Sequence, residues 1–107
     1  MSETVIREIS SLELDDFLSA NPDAVLFDVR SREEWNEGHM PQAIHLDVRQ
    51  LPARVSEVPN EPGKTVVCIC AMGGRSGAAC EYLAERGYRD LVNVAGGMLA
   101  YPGETVS

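Results

Sequence analysis

Short apolar runs alternate with amphipathic stretches along this chain, and that alternation restricts its fold more than any other feature. The apolar runs lie at 5–9, 24–29, 43–46, 65–69 and 91–94. Such runs indicate strands covered on both faces, and the β-branched run at 65–69 is typical of a central strand. Strands that alternate with helices predict an α/β fold with a mostly parallel five-stranded central sheet and helices on both faces.

Local signals predict where the helices begin and end. The Ser-x-x-Glu sequences at 10–13 and 31–34 are typical of capping boxes at helix starts. The segment 47–58 predicts a helix interrupted near Pro52. A longer helix is predicted over 76–86, with Gly87 as its left-handed cap.

Length and charge restrict the class of protein. The chain has 107 residues, which predicts one domain over 1–107. Seventeen acidic against nine basic residues give a formal net charge of −8, which argues against nucleic acid or an anionic membrane as a partner. No apolar run approaches the roughly 18 residues of a membrane helix. The first residues lack the pattern of a signal peptide, so we expect a cytoplasmic protein, and no feature requires more than a monomer.

Three cysteines, Cys68, Cys70 and Cys80, raise the question of which thiol is reactive. An odd number in an acidic chain without a signal peptide indicates free thiols, and a Cys68–Cys70 disulfide would be strained. Neither His39 nor His45 completes a zinc-ligand spacing with the one Cys-x-Cys pair, so we expect no metal. Cys68 and Cys80 are expected to pack in the core.

The segment 70–76 has the composition of an anion-binding loop. It follows the predicted central strand, contains Gly73 and Gly74, and leads into a helix. Adjacent glycines allow consecutive N–H groups to point into one concavity, and the helix N-terminus adds free N–H groups and partial positive charge. Cys70 stands at the mouth of this concavity. In parallel sheets this edge, at the carboxyl ends of the strands, is where ligands bind.

Magnitudes favour a reactive Cys70. A free thiol with a pKa of about 8.5 is roughly 3% thiolate at pH 7. Lowering that pKa by about two units needs about 2.7 kcal/mol, of which a helix N-terminus supplies up to about 2 kcal/mol. Hydrogen bonds to sulfur and the nearby Arg75 can supply the rest.

Four motifs in this order resemble those of the single-domain rhodaneses, the sulfurtransferase homology domains. They are Val25-Leu26-Phe27-Asp28-Val29-Arg30; Glu34-Trp35 with Gly38-His39-Met40-Pro41-Gln42-Ala43-Ile44; Cys70-x-x-Gly73-x-Arg75-Ser76; and Val94-x-Gly96-Gly97 with Tyr101. In the last motif the family more often has tryptophan than tyrosine. The resemblance covers nearly the whole chain.

The resemblance implies a two-step sulfur transfer without a metal or an organic cofactor. The Cys70 thiolate would take the outer sulfur of a donor such as thiosulfate, and a thiophilic acceptor, cyanide or a thiol, would remove it from the resulting persulfide. The loop residues would bind the substrate. They are Ala71, Met72, Gly73, Gly74, Arg75 and Ser76. Ser76 could instead only cap the helix.

Four further motif residues are expected to be structural, although Asp28, Arg30 and Glu34 could also form an acid–base set. Asp28 and Arg30 alternate at a strand end, and an Arg30–Glu34 pair would fix the following helix. His39, after Gly38, is expected to order a turn and not to act as a general base.

The length and charge of the loop 70–76 help to distinguish between the possible activities. Cys70 through Arg75 is six residues, whereas related phosphatases and arsenate reductases have one more, so these activities are less favoured. Ala71 and Met72 are uncharged, which leaves Arg75 as the loop's charge for an anionic donor. Besides small donors and acceptors, a protein sulfur donor or acceptor is therefore an alternative, as is a sulfur-relay or non-catalytic binding module.

Overall fold

A computed structural model describes residues 4–107 and contains a five-stranded sheet in which neighbouring strands are parallel. The strand order is β1-β5-β4-β2-β3, so β4 is central and β1 and β3 form the edges. This confirms the predicted fold class. The strands are β1 Val5–Ser10, β2 Val25–Asp28, β3 Ile44–His45, β4 Val66–Ile69 and β5 Asp90–Ala95.

Helices cover both faces of the sheet. Residues of β4 alternate between two core clusters: Val66 and Cys68 belong to one, Val67 and Ile69 to the other. The helices are α1 Leu14–Ala20, α2 Arg32–Glu37, α3 Leu51–Arg54, α4 Gly74–Glu85 and α5 Gly97–Ala100. In this described part of the chain, none combines the length and the apolar composition needed to cross a bilayer.

The two Ser-x-x-Glu sequences have different outcomes. Ser31 and Glu34 form the complete capping box at the start of α2, with both reciprocal hydrogen bonds. Ser10 is instead the last residue of β1, and its N–H donates to Glu13 Oε1 at 2.9 Å in a turn before α1. The prediction of a helix start at Ser10 was therefore wrong, because strand pairing with β5 extends through that residue.

Two other helical predictions need adjustment. The segment 47–58 divides into α3, with Pro52 in its first turn, and a 3-10 turn on either side. The helix expected over 76–86 begins earlier, at Gly74, and ends at Glu85. Gly87 has a φ of 93°, the left-handed conformation that was predicted.

The topology places the loop 70–76 at the end of the central strand. Because the strands are parallel, their carboxyl ends meet at the same side of the sheet. Cys70 directly follows β4 and is flanked by the ends of β2 and β5.

Candidate active site

The sulfur of Cys70 is held by main-chain N–H groups at the start of α4. The residue is buried, with 1% of its surface exposed. Its Sγ accepts hydrogen bonds from the N–H of Gly73 at 3.1 Å and of Ser76 at 3.3 Å. The Ser76 hydroxyl lies 3.3 Å from the same sulfur. The site thus directs hydrogen-bond donors at the atom that would carry negative charge.

These hydrogen bonds favour the thiolate. Burial raises the pKa of the Cys70 thiol, because the charged form is less well solvated. Hydrogen bonds from the Ser76 hydroxyl and from the N–H groups of Ser76, Gly73 and Met72 lower it and prevail. The pKa of Cys70 therefore lies below its ordinary value.

The other two cysteines lie in the core beneath the loop. All three are free, and Cys68 and Cys80 are buried in the cluster between β4 and α4. The pKa of Cys68 is raised, first by its contact with the Cys80 thiol and then by burial. Cys68 is thus held as a thiol, in contrast to Cys70.

The two loop glycines have different roles. Gly73 has a φ of 111°, in the left-handed region that side chains disfavour, and it begins the turn into α4. Gly74 lies inside the helix, where an added Cβ would meet no heavy atom within 4 Å. The expectation that both glycines supply special backbone geometry was therefore wrong for Gly74.

A buried polar network stands behind Ser76. Its hydroxyl lies within hydrogen-bond distance of Asn93 Oδ1 and 3.2 Å from the carbonyl oxygen of Gly73, so its single proton can be directed at these oxygens or at the Cys70 sulfur. Asn93 is 5% exposed, and its amide nitrogen donates to Glu8 Oε2 at 3.2 Å and to the Gly73 carbonyl at 3.3 Å. The sequence analysis missed Asn93, although one polar residue inside the apolar run 91–94 is a signal for a buried hydrogen-bonding role.

Arg75 forms a two-fold ion pair with Glu34. Its Nη1 and Nη2 contact Glu34 Oε1 and Oε2 at 2.6 and 2.8 Å. Hydrogen bonding to Arg75 lowers the pKa of Glu34 to about 2 despite partial burial, and contacts with Ser31 add to this. The positive charge of Arg75, which we expected to face an anionic donor, is thus already paired with the Glu34 carboxylate.

Arg30 pairs with Asp28 and not with Glu34, so the predicted Arg30–Glu34 pair was wrong. Arg30 Nε and Nη2 contact the two Asp28 oxygens at 2.7 to 3.1 Å, and Nη2 also donates to the Gly38 carbonyl at 2.8 Å. Asp28 is fully buried and Arg30 is 7% exposed. The pair ties the end of β2 to the end of α2.

His39 contacts the residues around the end of α2. Its ring stacks on Trp35, with centroids 3.5 Å apart and planes 5° from parallel. His39 Nδ1 also lies 2.8 Å from the Trp35 carbonyl oxygen. These contacts stabilise the turn that follows α2.

Helix α5 supports the loop from the other side. The N–H groups of Met98 and Leu99 donate to the carbonyls of Cys70 and Ala71 at 2.8 and 3.0 Å. Met72 and Leu99 are exposed next to these contacts, with 71% and 74% of their surfaces accessible. The sequence analysis placed Gly96 and Gly97 in the last motif but did not foresee how close this pair lies to the loop.

Comparisons with known proteins agree with this geometry. The model of the rhodanese-like domain family matches residues 11–104. A Bacillus subtilis protein named putative sulfurtransferase YtwF is 41% identical over 100 residues, 94% of each chain. A sulfurtransferase of Allochromatium vinosum is 36% identical, over 91% of this chain and 89% of its own. The crystal structure of a rhodanese-like domain protein from Staphylococcus aureus superposes with a TM-score of 0.79 and 32% identity, over 92% of each chain. With this coverage and the shared fold, the chain belongs to the rhodanese-like domain family.

Proposed function

We propose that this protein is a sulfurtransferase that carries a sulfane sulfur as a persulfide on Cys70. The observation that carries the proposal is the pair of N–H groups, from Gly73 and Ser76, that point at Cys70 Sγ. They favour a thiolate before the reaction and can stabilise negative charge on sulfur during it. The family membership and the names of two relatives support the same reaction class.

The reaction balances with Cys70 as the sole covalent group. The thiolate attacks the outer sulfur of thiosulfate, an S–S bond forms to Cys70, and the donor's S–S bond breaks, with sulfite leaving with its electron pair. An acceptor such as cyanide then attacks the outer sulfur of the persulfide. Thiocyanate leaves and the Cys70 thiolate is restored. No net proton or electron is required.

Mass spectrometry tests the first step directly. Incubation with a sulfur donor should add one sulfur, about 32 Da, to the intact protein, as a covalent nucleophilic mechanism requires. Cys70→Ser should abolish the adduct, while Cys80→Ala, which removes a neighbouring core thiol, should retain it. An adduct that persists in Cys70→Ser, or none on the wild type with any donor, would overturn the proposal.

The acceptor step separates turnover from relay. A persulfide that forms and is discharged by cyanide or small thiols supports an enzyme with small substrates. A persulfide that forms but is discharged only by a protein thiol supports a sulfur relay on the same Cys70. An aryl phosphate and arsenate serve as controls for the phosphatase and arsenate reductase activities that the six-residue loop disfavours.

A further inference from the structure

Arg75 is the one charged residue of the loop 70–76, and its positive charge is paired with a carboxylate of the same protein. Its two terminal nitrogens each contact a different oxygen of Glu34, the two-fold geometry in which arginine binds a carboxylate most strongly. An anionic donor that approaches Cys70 would have to compete with this internal carboxylate.

The charges around this pair do not restore a positive site. The pKa of the Arg75 guanidinium is raised chiefly by Glu34, and the negative charges of Cys70 and Asp47 raise it further. Asp47 in turn forms an ion pair with Arg49 at 2.6 Å. Glu33 raises the pKa of Arg49, and Arg75 lowers it. Each of these two guanidinium groups is therefore already paired with a carboxylate of the same protein. The chain as a whole carries −8.

We propose that Glu34 determines which charge on the sulfur donor the Cys70 site prefers. By pairing with the positive charge of Arg75, it makes the site prefer organic persulfides on uncharged or cationic carriers over the thiosulfate dianion. This inference rests on the proposed sulfurtransferase function and names its donor class. Like charges brought together at a site disfavour the wrong partner, and the effect is strongest where the groups are partly withdrawn from water. Glu34 has 32% of its side chain exposed and Arg75 41%, so part of the effect should be screened by salt.

Glu34→Gln removes the negative charge and can keep the hydrogen bond that caps α2. Glutamine is the other residue that completes a capping box, so the bond from the Ser31 N–H can be kept while the negative charge is removed. Glu37→Gln is the matched control, because it removes the same charge from the same helix at an exposed residue that forms no ion pair in the described part of the chain. Arg75→Gln should change the local charge in the opposite direction, since it leaves the Glu34 carboxylate without its positive partner.

The first measurement does not depend on sulfur transfer. Alkylation of Cys70 by neutral iodoacetamide and by anionic iodoacetate is followed by peptide mass, and the ratio of the two rates reports the charge at the sulfur. We expect Glu34→Gln to shift the ratio toward iodoacetate by about five- to tenfold at low salt, Arg75→Gln to shift it the other way, and Glu37→Gln to leave it near wild type. A change in thiol pKa alone would alter both rates equally and leave the ratio unchanged.

The second measurement compares donors. Single-turnover persulfide formation is followed with thiosulfate and with cysteamine persulfide, whose carrier has an ammonium group. Glu34→Gln should raise the rate with thiosulfate by a similar factor, less so in high salt, and should not raise the rate with the cationic carrier. An unchanged alkylation ratio in both Glu34→Gln and Arg75→Gln, or an equal shift in Glu37→Gln, would overturn the role of Glu34. A shifted ratio with no persulfide from either donor would instead overturn the sulfurtransferase proposal and leave the charge role standing.

Discussion

The N–H of Met98 donates to the carbonyl oxygen of Cys70 at 2.8 Å, so helix α5 holds the backbone of the residue that we propose carries the sulfane sulfur. The contact requires the backbone of α5 to approach the loop closely. Gly97 makes this possible, because an added Cβ would overlap the carbonyl oxygens of both Cys70 and Ala71. Gly97 therefore allows α5 to approach the loop 70–76 closely.

Gly97→Ala should damage both stability and the site. The residue has a φ of 55° and no room for a methyl group, so we expect a loss of about 2–4 kcal/mol of unfolding free energy from strain and overpacking. Urea denaturation measures this loss, and iodoacetamide alkylation of Cys70 in the folded variant should slow. Gly63→Ala is the control, since it has a φ of 82° but open space around it. It should lose stability without a change in alkylation; equal slowing in both variants would contradict the steric explanation.

Substitution of the two loop glycines should have opposite effects. Gly73→Ala forces a side chain into the left-handed region and should cost about 1–2 kcal/mol, with slower alkylation of Cys70 because the Gly73 N–H moves. Gly74→Ala lies in a helix with open space and should stabilise the protein by about 0.4–1 kcal/mol. Thermal unfolding ranks the two variants. Equal destabilisation by both would show that Gly74 also needs a conformation unique to glycine.

This difference between neighbouring glycines shows where sequence reasoning ends. The strand positions follow from apolar runs, and the Ser31–Glu34 box was predictable because its partners lie within one helical turn. Which of two glycines takes a positive φ depends on where the helix begins, and that boundary is decided by packing. The distant pairing of Glu34 with Arg75, 41 residues apart, has no local signature at all.

Ser76→Ala should make the Cys70 thiol harder to ionise. The hydroxyl is the strongest hydrogen-bonding contribution that lowers the pKa of Cys70, and alanine keeps the helix and the main-chain N–H. A lost hydrogen bond of about 0.5–1.5 kcal/mol should reduce the alkylation rate near neutral pH by about two- to tenfold, with the pH profile displaced upward. Ser19→Ala, on α1 away from the loop, is the control. If the profile of Ser76→Ala did not move, the hydroxyl would serve the Asn93 network alone.

The Glu34–Arg75 pair should also appear in the acid stability of the protein. The pKa of Glu34 is lowered from its ordinary value of 4.5 to about 2, so its contribution to stability is fully present above pH 4.5 and is lost as the pH falls toward 2. Because both side chains are partly exposed, we expect a contribution of about 1 kcal/mol, well below what full burial would give. Chemical denaturation at pH 6 and at pH 3 should show Glu34→Gln less stable than the wild type at pH 6, with the gap narrowing at pH 3. The same gap at both pH values would mean that the negative charge of the Glu34 carboxylate does not stabilise the fold.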